Sequence, residues 1–133
     1  MSRTATALVA LLVALISGCG GANDQQQVRD TVRQFIDASN KRDAKRFCDE
    51  LVTQEFAEQA TLQSGDRARD ACKRQLRESK APIVDVLRVS RVRVHEDEAT
   101  ATATLGGVGV EQRRVFRLKK EGGRWRVASQ AGD

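Results

Sequence analysis

The apolar spacing of the chain changes at Pro82, and that change limits the fold more than any other feature. Before it, Val28, Val32, Phe35 and Ile36 recur at i, i+4, i+7 and i+8, the spacing of one helix face. After it, Val92 and Val94 alternate with Arg91 and Arg93, and Ala99, Ala101, Ala103 and Leu105 alternate with Thr100, Thr102 and Thr104. A period of two belongs to half-buried strands. Helices followed by an antiparallel meander predict an α+β domain, with N-terminal helices packed on one face of a curved antiparallel sheet.

Local signals divide the helical half. Asn23 or Asp24 caps a first helix with Gln26 or Gln27 three residues on, and the helix is expected to run to about Ser39. Asn40 then stops it and Asp43 starts a second, whose inward stripe is Phe47, Cys48, Leu51 and Val52. Thr53 opens a short third helix with Phe56, Ala57 and Ala60 inside. Asp66 caps a fourth that buries Ala68, Ala71, Cys72, Gln75 and Leu76. In the strand half, one hairpin turns at Glu96-Asp97-Glu98. A second turns through Glu121-Gly122-Gly123, where two glycines supply the positive φ angles of a tight primed turn. Phe116, Leu118, Trp125 and Val127 face the helices.

With 133 residues and no Pro-rich or Ser-rich linker, residues 24–133 read as a single domain. Aromatics are scarce: four Phe, one Trp and no Tyr leave the core to Val, Leu, Ile and Ala. The net charge of +5 is spread over both halves, so it does not by itself point to nucleic acid.

The first eighteen residues have the layout of a signal peptide. Arg3 precedes an unbroken apolar run, Ala7 to Ile16, too short for a comfortable membrane span. The following Ile16-Ser17-Gly18-Cys19 resembles the lipobox of bacterial lipoproteins. That resemblance implies a diacylglycerol thioether on Cys19, cleavage just before it, acylation of the new amino group and attachment to the extracytoplasmic face of a membrane. Palmitate is a typical acyl group of such anchors. Two chains at about 0.8 kcal/mol per buried CH₂ hold stably. Residues 19–23 are then the lipidated cysteine and a short flexible tether. The alternative is an ordinary signal peptide cut nearby that leaves Cys19 a free thiol.

Cys48 and Cys72 form an even pair in an exported chain and read as a disulfide. Two buried free thiols in separate helices are the other arrangement. A metal site lacks ligands, because no C-x-x-C spacing occurs and His95, the only histidine, is far along the chain. No cofactor is expected.

The opening "VRQFIDASNKRDAKRFCDELVTQEF" and the closing "FRLKKEGGRWRVAS" resemble the nuclear transport factor two-like superfamily, also called the cystatin-like fold, including its bacterial lipoprotein members. The resemblance covers about residues 24 to 130 and implies a cone whose mouth can hold a small molecule. Enzymes of that superfamily, isomerases and cyclases among them, use a pocket Asp or His with a Tyr donor. This chain has no Tyr, and Asp37, Asp43, Asp49 and Asp85 fall where helix surfaces, caps or strand ends account for them. An isomerase-like or cyclase-like enzyme is therefore the minor expectation.

Alternation turns Arg91, Arg93, Arg117, Lys119, Arg124 and Arg126 outward with the threonine ladder. This basic polar platform suits an anionic partner, either an envelope protein or an anionic polymer. No exposed aromatics interleave it, which argues against single-stranded nucleic acid. The sequence therefore predicts a membrane-anchored, non-catalytic envelope module for binding or protein interaction, with a pocket for a small apolar ligand as the alternative.

Overall fold

In the computed structural model, which describes residues 20–107 and 109–132, the strands β1 (Asp85–His95), β2 (Glu98–Gly106), β3 (Gln112–Glu121) and β4 (Arg124–Gly132) pair antiparallel in chain order. The sheet is bent by three irregularities in register. Leu87 and Arg91 are extra residues in β1 against β2, and Ala128 is an extra residue in β4 against β3. Such bulges increase local twist and bend the bulged strand. They also reset the side-chain alternation, so Val86, Val89, Val92 and Val94 all face the helices although their spacing is not a uniform two. Arg91 takes φ 51° at its bulge, a left-handed conformation uncommon outside glycine.

The helices cover the concave face. α1 (Gly20–Asn40) lays Val28, Val32, Phe35 and Ile36 against the sheet, as the spacing predicts. It is helical from Gly20, so residues 20–23 are not the flexible tether that the sequence suggested. Asp24 explains the firmness of this end. Its Oδ1 accepts from Lys120 Nζ at 3.0 Å and Trp125 Nε1 at 3.2 Å, clamping the first turns of α1 to the β3–β4 hairpin. The lipobox residues, Ile16 to Cys19, lie outside the described residues.

Asp43 starts the next segment as expected, accepting from the Arg46 amide at 3.2 Å. The helix there widens into a π-helical turn, Arg46–Leu51, still burying Phe47, Cys48 and Leu51. Val52 then leaves the helix to bridge Val127 in parallel, and the Thr53 amide donates to the Val127 carbonyl at 3.0 Å. Thr53 caps α2 (Gln54–Thr61) by accepting from the Phe56 amide at 3.0 Å. In α3 (Asp66–Glu78), Asp66 is the first helical residue and makes no cap bond; Gly65 precedes it. Ala68, Ala71, Cys72 and Leu76 are buried, whereas Gln75 and, on α2, Ala60 are exposed. No described helix is long and apolar enough to cross a membrane.

The four phenylalanines of the chain all meet around Phe35, whose ring centroid lies 4.6 Å from Phe47, 5.9 Å from Phe56 and 5.7 Å from Phe116. Cys48 and Cys72 form the disulfide, joining the π-helical turn to α3. At the β3–β4 turn, Gly122 and Gly123 both have positive φ, as a tight primed turn requires.

Two outcomes follow. Cys48 and Cys72 are bridged, so alkylation of these two should fail even in denaturant until a reductant is added. Replacing both by Ala should lower the unfolding free energy by about 3 to 4 kcal/mol in urea titrations, the loop-closure value for this separation. Separately, the hydrogen bonds from Lys120 and Trp125 hold the Asp24 carboxyl below the usual carboxylate range. A lowered folded-state pKa adds stability above the unfolded value and loses it as pH falls through the folded one. Asp24→Asn should therefore lower Tm at neutral pH, and the difference from wild type should close progressively below about pH 4.

Candidate functional site

A cavity of about 380 Å³ opens between the C-terminal end of α1 and the far ends of β2 and β3. Its size falls at the lower end of the range of ligand pockets, about 300 to 1,000 Å³. Phe35, Ile36, Phe47, Val84 and Leu105 supply its apolar walls, and Ser39, Asn40, Gln112, Arg114 and Gln130 its polar groups. An apolar-walled cavity thus opens at this end, whereas the other end, beside Trp125, carries a depression of about 370 Å³ lined largely by polar groups of α1 and the π-helical turn.

Register explains this polarity. Along the concave side of β3, alternate residues run Gln112, Arg114, Phe116, Leu118 and Lys120. Phe116 and Leu118 are buried in the core, and Lys120 closes the far end through Asp24. Arg114 stands one inward-facing position from Phe116 toward the opening, roughly 7 Å along the strand. It pairs with Ala103 on one side and Gly132 on the other, so its neighbours leave its long side chain room. Arg114 is half-buried, and its side chain makes no hydrogen bond or ion pair to any described residue.

The opposite wall, residues 81–84, is irregular chain held by side chains. Asn40 does more than stop α1: its Nδ2 donates to the Val84 carbonyl at 2.7 Å, and its Oδ1 accepts from the Val84 amide at 3.1 Å. Arg42, at φ 56°, donates from Nε to the Ser79 carbonyl at 3.0 Å and from its terminal nitrogens to the Ser39 and Ala81 carbonyls. Sequence reading missed Arg42, because arginine after a helix reads as a solvated charge. It also missed Arg114, which alternation alone does not separate from the neighbouring Arg113.

None of the aspartates weighed as acids reaches the cavity. Asp37 pairs with Lys41 at 3.0 Å and Asp49 with Lys73 at 2.9 Å; Asp43 caps, and Asp85 is exposed at the start of β1. His95 is exposed beside the Glu96-Asp97 turn, where Glu98 already belongs to β2. Among the described residues no cluster of His, Cys, Asp or Glu is arranged to hold a metal.

The basic outer platform is smaller than alternation suggested. Arg93 and Arg117 are exposed on either side of Thr100, Arg91 is exposed at its bulge, and Arg124 is exposed at the β3–β4 turn. Arg126 does not belong with them. Its guanidinium turns back across the edge strand and donates to the Asp49 carbonyl at 2.6 Å and more weakly toward the Val52 carbonyl at 3.5 Å. The wide π-helical turn leaves these carbonyls to be satisfied from outside, and Arg69 serves Cys48 O in the same way. Lys119 pairs with Glu55 at 3.1 Å. Thr102 and Thr104 are buried, not an exposed ladder; Thr104 sits in register between Arg88 and Arg113. A broader depression of about 760 Å³ at this end is lined by polar residues and Gly132, with no apolar side chain.

No family model matches the chain, and no curated protein matches it. Among solved structures, a protein from Sphaerobacter thermophilus is similar at TM-score 0.51 and 14% identity, covering 79% of this chain and 94% of its own. A de novo designed protein with a curved β-sheet is similar at TM-score 0.52 and 20% identity, covering 79% of this chain and 97% of the design. At these identities the likeness establishes the architecture alone: helices on the concave side of a curved antiparallel sheet.

Proposed function

We propose that this protein is a membrane-tethered, non-catalytic binding module of the bacterial envelope, and that the cavity at the open end of its cone is the binding site. The observation that carries the reading is the make-up of that cavity. Its volume of about 380 Å³ has apolar walls and a few convergent polar groups, and among the described residues its lining contains no carboxylate, imidazole, thiol or amine to move a proton or attack a substrate. Binding is what such a lining does well.

The tether rests on Ile16-Ser17-Gly18-Cys19 after its short apolar run. The Cys48–Cys72 disulfide is in keeping with it, because such bonds persist in compartments outside the reducing cytosol. Small-molecule capture is favoured over protein docking on the outer face, since that face loses Arg126 and Lys119 to internal partners.

Two measurements test this. Metabolic labelling with a palmitate analogue should mark the wild-type protein and not Cys19→Ala; equal labelling of both would remove the anchor from the account. For the cavity, 4-phenyl-1-butanol serves as a neutral probe. Calorimetric titration of the full chain in nanodiscs of zwitterionic lipid, with empty discs subtracted, should give saturable binding. Ser39→Trp, which fills the mouth from a half-buried position whose side chain holds nothing else among the described residues, should abolish it.

A further inference from the structure

We infer that the cavity selects ligands with one anionic head on an apolar body, and that Arg114 is the residue that selects them. This rests on the cavity being the binding site. The argument starts from the state of Arg114. It is half-buried on the concave face, and no described residue offers it a hydrogen bond or a counter-ion. Removing a cation from water without a partner is unfavourable, and a guanidinium recovers most when it binds a planar carboxylate through two parallel hydrogen bonds. The other cations near the core have internal partners: Arg42 and, through Nη1 while its Nε stays buried without a partner, Arg126 hold backbone carbonyls, and Lys120 holds Asp24. Among the described residues Arg114 alone of these is left without a partner.

Its surroundings match the rest of such a ligand. Gln112 and Gln130 lie on the same concave face, the first two residues before Arg114 on β3 and the second paired with Phe116. Neither side chain is hydrogen-bonded to a described residue, so both amides are available to a second anion oxygen. Below them, Phe35, Ile36, Phe47, Val84 and Leu105 offer only apolar contact. An anion without an apolar body leaves those walls wet, and a neutral apolar molecule leaves Arg114 unpaired. The combination of the two fits.

The direction of entry follows from α1. Cys19 adjoins its first residue, Gly20, while Ser39 and Asn40 of its last turn line the cavity. A helix of 21 residues is about 31 Å long at 1.5 Å per residue, so the mouth lies at the end of the molecule away from the attachment residue. The ligand is therefore taken from the aqueous phase rather than drawn out of the bilayer.

The test compares 4-phenylbutyrate, 4-phenyl-1-butanol and 4-phenylbutylamine on the full chain in zwitterionic nanodiscs, by calorimetry. The carboxylate should bind at least about tenfold more tightly than the alcohol, the usual worth of a hydrogen-bonded charge. The amine should bind least. Arg114→Gln should lower the affinity for the carboxylate to that for the alcohol, and Arg114→Glu should transfer the preference to the amine. An unchanged near-ultraviolet circular dichroism signal from Trp125 checks that both variants fold. Equal binding of carboxylate and alcohol to the wild type would overturn the role of Arg114 but keep the cavity as a site. Binding of neither would overturn the site as well. Oleate added to the nanodisc lipid should leave the affinity for 4-phenylbutyrate unchanged; a fall would contradict entry from the aqueous side.

Discussion

The bend of the sheet is the constraint from which the other features follow. A four-stranded sheet without bulges would send alternate residues of β1 to opposite faces in one unbroken register, and Arg88 would take the inward position that Val89 holds. The extra residues at Leu87 and Arg91 prevent this. They keep Val86, Val89, Val92 and Val94 on the concave side and curl the strand around α1. Arg91 bears the cost in a left-handed backbone conformation. With the strands curled, α1 packs into the hollow from Val28 to Ala38, and the hollow must then be filled, closed or left open at each end.

Scarcity of large side chains decides which end stays open. Phe35, Phe47, Phe56 and Phe116 are spent on one cluster in the middle. The single Trp lies at the start of β4, where it pairs with Lys120 and closes the hollow beneath the first turns of α1. At the other end the concave positions beyond Leu105 and Phe116 fall to Arg114 and Gln112, and the facing segment beyond Val84 offers Ala81 and Pro82. These are either too small to meet across the gap or too polar to be buried against it. Packing at the density of a protein interior is not reached there, and a cavity results.

Much of this is legible in the sequence. The change of period at Pro82, the inward faces of the helices, the two hairpins and the pairing of Cys48 with Cys72 all follow from local rules that the tertiary structure then respects. What failed to follow depends on competition for backbone groups across the fold. Arg126 has the alternation of an outward residue, yet the carbonyls freed by the π-helical turn lie within its reach and take it. Thr102 and Thr104 alternate like exposed residues but are shielded by their cross-strand surroundings. Asp24 reads as a helix cap, while its carboxylate is engaged by Lys120 and Trp125, about a hundred residues away in sequence. Even the bulges left a trace, since Val86, Val89 and Val92 are spaced by three in a segment that otherwise alternates.

The arginines illustrate why placement carries more meaning than number. Arg93 and Arg117 on the outer face are hydrated, and salt screens whatever they attract. Arg42 and Arg126 are locked onto carbonyls and serve the backbone. Arg114 differs from both groups because it is partly withdrawn from water, free of internal partners among the described residues, and next to apolar walls. In that setting the local dielectric is lower and an added negative charge is worth more than at the surface. On the proposed reading, that one side chain is what lets a small cavity discriminate between ligands. No described residue compensates the charge of Arg114 in the empty protein, so on the proposed reading stability is given up where selectivity is gained.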